Sequence, residues 1–388
     1  MKDKLFLMIP GPTPVPESVL QAMAKHPIGH RSSEFSKILK EVYSDLKWFF
    51  QTKNDVFLLT ASGTGAMDAA LSNILNPGDK VLSLVMGNFS ERWVKIAKSR
   101  GAEVETLDAE WGKAIDPEAL KSRLAADTNK EIKVVTVTHN ETSTGVMNDV
   151  KTICEIIREH GALSVVDGVT SVGAVPVKPD EWGIDILVSG SQKGFMVPAG
   201  LSFLSCSDRA FEAYKKCEYP SFYFDFGAYK KSVAEDTTPF TPNINMVFAL
   251  HKAFEILKAE GLESIYARHE KISKGIRTAV RVLGLELLVE NDTAASRAIT
   301  SILPPDGVTV PDIRSTMTKD YDIVVANGQG KFKDKIFRIG HLGFVSERDA
   351  ITAIGALEGT LLKLGHKFEP GSGLSALLKV FAEQKVTV

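Results

Sequence analysis

The stretch 161-GALSVVDGVTSVGAVPVKPDEWGIDILVSGSQKG-194 contains two apolar runs, and each of them ends at polar residues. The first run, LSVV, stops at Asp167, and the second, IDILV, gives way to SGSQKG, which contains Lys193. Apolar runs of this length, bounded by glycine-bearing loops, are typical of strands that are covered on both faces, as in a parallel sheet. A lysine directly after such a strand is unusual, because lysine is rarely buried without a partner or a task.

The same alternation continues on both sides of this stretch. The predicted strands are DVFLLTAS (55–62), KVLSLVMG (80–87), AEVETLD (102–108), IKVVTVTH (132–139) and GLSFLSCS (200–207). Helical periodicity appears between them, for example in AMDAALSNIL (66–75), RWVKIAKSRG (92–101) and DVKTICEIIREHG (149–161). Strands that alternate with helices predict an α/β fold with a mainly parallel sheet and right-handed crossovers.

The pattern changes after about residue 243. Residues 245–284 have helical periodicity that is broken near Gly261, and we interpret them as a long connector between two domains. Short strands are then predicted at LELLVE (285–290), AITSILPP (298–305), YDIVVANG (321–328) and IFRIGHLG (336–343), followed by helices at 348–365 and 374–384. We therefore expect an N-terminal segment 1–20 that packs near the active site and the small domain, a large domain 21–260, and a small α+β C-terminal domain 261–388.

The overall charge and composition argue against several classes of protein. The chain has 46 lysine and arginine residues against 48 aspartate and glutamate residues, so nothing electrostatic favours a nucleic acid or an anionic membrane as partner. We find no uncharged apolar run of the roughly 18 residues that a membrane span needs, and no leader peptide. Three irregularly spaced cysteines suit a reducing compartment, so we expect a soluble cytoplasmic protein.

Polar residues that follow the predicted strands are the candidates for chemistry, because ligands of parallel α/β sheets bind beyond the carboxyl ends of the strands. In ASGTGAMDAAL (61–71), Ser62, Gly63 and Thr64 stand at the start of a helix, where free N–H groups and the helix dipole favour an anion such as phosphate. The spacing matches neither a P-loop nor GxGxxG, so neither a nucleoside triphosphate nor a dinucleotide is supported. A glycine-rich turn with a Ser/Thr N-cap explains these residues equally well.

Asp167 and Lys193, together with this predicted anion site, indicate one ligand. A buried lysine has a lowered pKa and becomes a usable nucleophile, while a buried carboxylate needs a cationic partner to stay ionised. A phosphate site, a carboxylate for a protonated ring nitrogen and a lysine for an aldehyde are together the requirements of pyridoxal 5′-phosphate (PLP). Taken alone, Asp167 could be a turn aspartate, and Lys193 could be a side chain that reaches from a strand end to solvent. No second histidine lies at metal-binding spacing from His139, so we expect no metal site.

Seven motifs, in this order along the chain, resemble the class V aminotransferases of the fold-type I PLP enzymes, specifically the alanine–glyoxylate, serine–glyoxylate and serine–pyruvate branch. They are PGPTPVP (10–16), GHRSSEF (29–35), ASGTGAMDAAL (61–71), THNETSTGV (138–146), VVDGVTS (165–171), SGSQKG (189–194) and FRIGHLG (337–343). The resemblance implies a large domain with a mainly parallel seven-stranded sheet between helices and a smaller α+β domain. It also implies PLP as cofactor and a homodimer with active sites at the subunit interface.

The resemblance further implies roles for individual residues. Lys193 would bind the cofactor aldehyde, and Asp167 would pair with the pyridine nitrogen. The cofactor phosphate would contact Ser62, Gly63, Thr64, Gln192 and, from the neighbouring subunit, Thr241. The cofactor ring would contact Phe89, where relatives carry tryptophan, and its phenolic oxygen would contact Thr142 or Ser143. The substrate would contact Arg338 and Gly11. Thr238 stands where some relatives have a phosphate-binding tyrosine, and His30 and Arg31 would border the partner's active site or an interface.

The function implied by the resemblance is transfer of an amino group from a small L-amino acid, alanine or serine, to a small 2-oxo acid, glyoxylate or pyruvate. A small donor is favoured because we find no clear second cationic group for a side-chain carboxylate, although the partner subunit's Arg31 could serve. The alternatives are aspartate or another donor, and a lyase or desulfurase of the same superfamily. A desulfurase needs a catalytic cysteine on a mobile loop in the C-terminal half, whereas all three cysteines precede residue 218.

Overall fold

The computed structural model describes residues 5–383, so residues 1–4 of the predicted N-terminal segment and residues 384–388 of the predicted C-terminal domain lie outside the described residues. Within these bounds the strands are β1 (Phe6–Met8), β2 (Val56–Leu59), β3 (Lys80–Val85), β4 (Glu103–Asp108), β5 (Ile132–Thr138), β6 (Asn140–Glu141), β7 (Val146–Met147), β8 (Leu163–Asp167), β9 (Ile186–Gly190), β10 (Ser202–Cys206), β11 (Ile299–Ile302), β12 (Ile323–Asn327) and β13 (Phe337–Gly340).

The α-helices of the same residues are α1 (Glu17–Met23), α2 (Ser33–Phe49), α3 (Gly63–Ser72), α4 (Ser90–Ser99), α5 (Pro117–Ala126), α6 (Val150–His160), α7 (Pro179–Trp182), α8 (Asp208–Tyr214), α9 (Phe226–Ala234), α10 (Ile244–Glu260), α11 (Leu262–Val282), α12 (Val310–Tyr321), α13 (Glu347–Lys363) and α14 (Ser372–Glu383). None of these helices is long and apolar enough to cross a membrane.

The large sheet contains seven strands in the order β2-β10-β9-β8-β5-β3-β4. All neighbouring pairs from β9 to β4 are parallel, which requires the chain to cross back over the sheet between successive strands. The strand β10 is antiparallel to both of its neighbours, and only the loop after β9 separates it from that strand. The prediction of an α/β fold with a mainly parallel seven-stranded sheet is therefore confirmed.

Local sequence signals explain where these elements form and end. Every residue of β9 and β10 is buried, as expected for apolar strands that are covered on both faces. The side chain of Asp149 caps the start of α6, and Gly161 ends this helix with φ of +101°, a conformation that glycine adopts readily. The long helical run breaks at Gly261 into α10 and α11, as its sequence predicted.

A second sheet of four strands, in the order β1-β12-β13-β11, forms from both ends of the chain. The strand β1 runs parallel to β12, so that Phe6 pairs with Ile323. We did not predict β1, because three residues are too few to show a periodic pattern. The prediction of a strand at LELLVE is wrong, since residues 285–290 contribute only one isolated bridge, from Leu287 to Ile302.

Two apolar cores hold the sheets against their helices. One core surrounds the large sheet and includes Phe195 and Phe203, and the other surrounds the small sheet and includes Ile272 and Phe337. Because loops from both sheets line one cavity, the space between the two cores is where polar side chains from distant parts of the chain meet.

Candidate active site

A cavity of about 390 Å³ lies where loops that follow strands of the large sheet meet the small sheet. Three parts of the chain share its wall: residues 9–11 after β1; Phe89, Thr142 and Lys193 from the large-sheet side; and Arg314, residues 324–329 and Arg338 from the small-sheet side. The structure therefore brings several of the predicted site residues together, although they are far apart in sequence.

Lys193 lies in the turn that follows β9 and lines this cavity. Lys193 is only 8% exposed, and its Nζ donates a hydrogen bond of 2.5 Å to the carbonyl oxygen of Pro10. Burial is the main reason that the pKa of Lys193 is lowered to about 8; Asp167 opposes this shift, and Arg338 adds to it. A substantial fraction of the side chain is therefore neutral near pH 8, and the neutral amine is the form that attacks an aldehyde.

Gly11 allows the chain after β1 to pass directly against Lys193. Its φ is +141°, and a Cβ atom at this position would lie 2.8 Å from the Cε atom of Lys193, closer than real Cβ atoms approach other atoms. A larger residue would therefore have to displace the lysine side chain. Glycine is needed here for this close approach as well as for its backbone conformation.

Asp167 is the last residue of β8 and is only 5% exposed. Its Oδ1 accepts a hydrogen bond of 2.8 Å from the N–H of Val169. Burial raises the pKa of Asp167 to about 6, the Val169 hydrogen bond opposes this shift, and the charge of Glu141 adds to it. The carboxylate forms no ion pair within residues 5–383, so it remains available to a cationic group in the cavity.

The start of α3 lies beside the turn that carries Lys193. Ser62 is the N-cap residue, but its side chain forms no capping hydrogen bond, so the N–H groups of the first turn keep their capacity to donate. A Cβ atom on Gly190 would lie 3.0 Å from Oε1 of Gln192 and 3.5 Å from Cα of Gly63, which places these residues at one corner. Oε1 of Gln192 is buried and has no partner among the described residues. The free N–H groups at the start of α3 thus lie beside the carboxamide of Gln192, and these helix donors are what suits this corner to an anion.

Arg92 is a site residue that we did not identify from the sequence. Its Nη1 donates a hydrogen bond of 2.8 Å to Oγ1 of Thr64, and its guanidinium lies 4.7 Å from the ring centroid of Phe89. Phe89, which directly precedes α4, is half-buried and lines the cavity. Arg92 therefore connects the start of α3 to the aromatic ring. The available signal was its position shortly after β3, at the same edge of the sheet as the other candidates.

Glu141 is a second site residue that we did not predict from the sequence. It is fully buried, and its carboxylate accepts hydrogen bonds from the N–H groups of Phe89 and Ser90, at 3.1 and 2.9 Å, and from the hydroxyl of Ser143, at 2.6 Å. These bonds fasten the loop before α4 to the loop after β5. Glu141 consequently sets the position of Phe89, and its place just after a buried strand was the signal that could have identified it.

Thr142 and Ser143, which the sequence left as alternatives, have different surroundings. The hydroxyl of Ser143 donates to Glu141 and also accepts a hydrogen bond of 2.9 Å from the N–H of Asn88. Thr142 lines the cavity, and its Oγ1 lies 3.1 Å from Oγ1 of Thr170. Of the two residues, Thr142 is the one that lines the cavity.

Arg338 extends from β13 to the cavity and is 3% exposed. Its Nε donates a hydrogen bond of 2.8 Å to the carbonyl oxygen of Asn327, and its Nη1 donates one of 2.6 Å to that of Thr142. Burial lowers the pKa of Arg338 to about 10, although Glu141 opposes this shift. No carboxylate forms an ion pair with Arg338 in the described part of the chain. A buried guanidinium that keeps unused N–H groups is suited to an anionic ligand.

Other predicted residues lie away from this cavity in the single chain. Thr241 is exposed, and Thr238 is buried with its hydroxyl donating to the carbonyl oxygen of Phe240 at 2.7 Å. Arg31 donates a hydrogen bond of 2.6 Å to the carbonyl oxygen of Thr238 in its own chain. His139 is buried and lines a different cavity. Across residues 5–383, no group of three or more histidine, cysteine, aspartate or glutamate side chains is arranged to hold a metal ion.

The chain is similar in sequence to a known family and to several named proteins. Residues 5–332 match the family described as aminotransferase class V. The chain is 52% identical over 384 residues to the soluble hydrogenase 42 kDa subunit of Anabaena cylindrica, with 98% of this chain and 100% of the relative covered. It is 37% identical over 373 residues to the L-aspartate–glyoxylate aminotransferase of Paracoccus denitrificans and 38% identical over 378 residues to the serine–glyoxylate aminotransferase of Methylorubrum extorquens. Each of these two matches covers 95% of this chain and 94% of the relative.

A solved structure resembles the chain over nearly its whole length. The alanine–glyoxylate aminotransferase from Nostoc sp. superposes with a TM-score of 0.88 at 33% sequence identity. The superposition covers 93% of this chain and 96% of that one. The similarity therefore includes both sheets and the cavity between them.

Proposed function

We propose that this chain, which belongs to the class V aminotransferase family, transfers the amino group of a small L-amino acid such as alanine or serine to a small 2-oxo acid, glyoxylate or pyruvate. The observation that carries the proposal is one cavity that holds a buried amine of lowered pKa, Lys193, and a buried guanidinium without a carboxylate partner, Arg338. The first group can accept and return a proton, and the second can hold a carboxylate.

The enzyme depends on pyridoxal 5′-phosphate, and the residues present fit this cofactor. The uncapped start of α3 suits its phosphate, and the side chain of Gln192 lies at the same corner. We assign the phosphate to Ser62, Gly63, Thr64 and Gln192. We assign the aldehyde to Lys193, the ring nitrogen to Asp167, the ring face to Phe89 and the phenolic oxygen to Thr142. When bound, the cofactor supplies an aldehyde for the amino group and a ring that withdraws electrons from the donor's Cα.

Lys193 and Arg338 have different roles toward the substrate: Arg338 binds it, and Lys193 transfers a proton. Arg338 holds the α-carboxylate through its unused N–H groups, which fixes the orientation of the donor's Cα. Once the donor's amino group has taken the place of Lys193 at the aldehyde, the freed Nζ would accept the proton from Cα and would return it on the cofactor side to complete the transfer. A pKa near 8 suits this exchange, because the same group must accept and release a proton near neutral pH.

Asp167 and Arg92 set the charge around this exchange. Above about pH 6 the carboxylate of Asp167 is ionised and can hold a protonated ring nitrogen in place. The guanidinium of Arg92, which lies against Phe89 and bonds Thr64, keeps a positive charge beside the proposed phosphate position. Walls of Phe89 and Gly11 reduce the access of water to Lys193.

The assembly that we propose is a cytoplasmic homodimer with active sites at the subunit interface and no nucleic acid partner. In such a dimer, the partner subunit's Thr241 would reach the cofactor phosphate, and His30 and Arg31 would lie at the border of the two subunits. Thr241 is exposed and does not line the cavity of its own chain, which supports this arrangement. We further propose that segments 1–20, 21–260 and 261–388 act as the N-terminal segment, the large domain and the small domain.

A desulfurase reaction is disfavoured by the positions of the cysteines. None of the three lines the cavity, and burial raises the pKa of Cys154 and of Cys206 to about 12, which suppresses the thiolate that such chemistry needs. Cys217 is partly buried, and burial raises its pKa as well. Aspartate is the alternative amino donor to alanine and serine.

The proposal is tested by measuring transamination for a matrix of donors and acceptors in the wild-type enzyme and in Lys193→Ala. We expect the wild type to use small donors with glyoxylate, and we expect Lys193→Ala to lose both turnover and the covalently reducible attachment of PLP on treatment with borohydride. Lys37→Ala, which removes an exposed lysine on α2, is the matched control and should behave like the wild type. Retained turnover in Lys193→Ala, or no turnover of any pair by the wild type, contradicts the proposal.

A further inference from the structure

Arg314 is a second arginine in the cavity, and it has no role in the proposed transamination. It belongs to α12, is half-buried, and lines the same cavity as Lys193 and Arg338. Its Nε donates a hydrogen bond of 3.1 Å to the carbonyl oxygen of Val325. Among residues 5–383 no carboxylate forms an ion pair with it, and its two terminal nitrogens have no hydrogen-bond acceptor. The part of the guanidinium that normally binds an anion is therefore free.

The same strand anchors both cavity arginines. Arg314 bonds through Nε to the carbonyl oxygen of Val325, and Arg338 bonds through Nε to that of Asn327, two residues further along β12. Two residues on a strand span roughly 7 Å. Both side chains are thus anchored to one rigid strand, at backbone positions about 7 Å apart. Such an arrangement favours recognition of two anionic groups on one small molecule.

The residues that line the cavity carry positive charge only. The lining residues include the cations Lys193, Arg314 and Arg338 but no aspartate or glutamate. The wall near Arg314 is formed by the small aliphatic side chains of Val324, Val325 and Ala326. These aliphatic side chains offer no hydrogen-bond acceptor to the terminal nitrogens of Arg314, so an anion bound at this end of the cavity would supply one. A single α-carboxylate, bound at Arg338, would leave Arg314 without a partner.

We propose that Arg314 forms a second anion subsite, which binds the anionic side-chain group of a short amino donor while Arg338 binds its α-carboxylate. The ligand class is a four-carbon amino dicarboxylate, or the matching 2-oxo dicarboxylate in the reverse direction. The inference rests on the proposed transaminase function and names an additional substrate class for it. The sequence offered no clear second cation for a side-chain carboxylate, because Arg314 lies in the interior of a helix, where no local signal marked it.

Steady-state kinetics with glyoxylate as acceptor test the subsite directly. In Arg314→Gln we expect kcat/KM for aspartate to fall about 10- to 100-fold, the loss typical of a hydrogen-bonded charge pair. The values for alanine and serine should stay within about threefold of the wild type, because neither donor reaches Arg314. Arg314→Lys, which keeps a cation but not the planar fork, should recover part of the aspartate activity. Arg348→Gln removes an arginine that is far more exposed and serves as the matched control.

Equal losses for aspartate, alanine and serine in Arg314→Gln would overturn the proposal, because they would mean that Arg314 only supports β12. A wild-type enzyme that uses aspartate no better than Arg314→Gln does would overturn it as well. Thermal unfolding of both Arg314 variants separates these outcomes from a general loss of folding.

A binding measurement separates the subsite from the transaminase function on which it rests. Calorimetric titration of the cofactor-free protein with succinate and with propionate compares a ligand that has two carboxylates with a ligand that has one. We expect succinate to bind at least about tenfold more tightly than propionate, and we expect Arg314→Gln to abolish this difference. If no donor is turned over but this difference is present and is lost in the variant, the transaminase proposal fails and the subsite stands. If succinate and propionate bind equally to the wild type, the subsite proposal is wrong.

Discussion

The Nζ of Lys193 donates a hydrogen bond of 2.5 Å to the carbonyl oxygen of Pro10, a residue 183 positions earlier in the sequence. This contact joins the turn after β9 to the segment after β1, so that the amine is held by a backbone group of the other sheet. This one hydrogen bond fixes the position of the Lys193 amine, and Gly11 allows the close approach of the chain that makes it possible.

Replacing Gly11 by alanine should cost activity much more than stability. The new Cβ would overlap the Lys193 side chain and push Nζ away from its position. A displacement of about 1 Å at a reacting group can lower the rate roughly 100-fold, so we expect kcat/KM to fall by about that factor. Gly78→Ala is the control, because Gly78 also has a positive φ, +86°, but open space around it. That variant should lose about 1 kcal/mol of unfolding free energy and keep its activity; equal activity losses in both variants would contradict the overlap.

Capture of PLP by the cofactor-free protein should depend on pH through the amine of Lys193. Because burial lowers the pKa of this group to about 8, the neutral fraction rises about tenfold per pH unit below pH 8 and levels off above it. Stopped-flow absorbance at constant PLP concentration should follow this curve. The charge of Arg92 also lowers the pKa of Lys193, so Arg92→Gln should move the midpoint upward. A midpoint near the ordinary lysine value of 10.5 would contradict the burial of the amine.

Asp167→Asn should stabilise the cofactor-free protein while it abolishes turnover. Burial raises the pKa of Asp167 from 3.8 to about 6, so between these pH values the folded state keeps a proton that the unfolded state has lost. Stability therefore falls as pH rises from about 4 to 6, and the cost persists above pH 6. Asparagine removes this cost, so the variant should gain up to about 3 kcal/mol at pH 8 and almost nothing near pH 4. Urea unfolding at several pH values measures the difference, and a gain that does not depend on pH would refute its electrostatic origin.

Glu141→Gln should destabilise the fold and displace Phe89. The carboxylate accepts hydrogen bonds from two backbone N–H groups and from the hydroxyl of Ser143, and a carboxamide can accept fewer of them while it adds unpaired donors. We expect a loss of about 2–4 kcal/mol in unfolding free energy and a weaker affinity for PLP. Glu286→Gln, on the exposed surface, is the control and should change stability by less than about 0.5 kcal/mol. Unchanged stability in Glu141→Gln would mean that these bonds are replaceable.

The large sheet could be predicted from sequence because its signals are local. Apolar runs such as those around Asp167 and Lys193 identify buried strands, and the alternation with helices then determines that most neighbours are parallel. The polar residues at the strand ends follow from the same rule, since the carboxyl ends of parallel strands share one edge. Glu141 and Arg92 obey this rule too, and they were missed only because each stands a few residues beyond its strand.

The remaining features depend on contacts between distant segments, which no local pattern encodes. The strand β1 exists because three residues pair with β12, more than 300 positions later. LELLVE forms no strand because its pairing with the neighbouring segment stops at one isolated bridge, from Leu287 to Ile302. Arg314 shows the same limit at the site. Its sequence environment is that of an ordinary amphipathic helix, and only the packing of α12 against β12 turns its side chain toward the cavity.

The pairing of β1 with β12 also determines when the site can form during synthesis. Residues 9–11 of the cavity wall are synthesised more than 300 residues before the strand that positions them, at residues 323–327. Lys193 is also synthesised before that strand, so the backbone carbonyl that accepts its hydrogen bond is not yet held in place when the lysine emerges. The pocket can close only after β12 has been released, so we expect a nascent chain that ends before β12 to have no completed pocket for PLP.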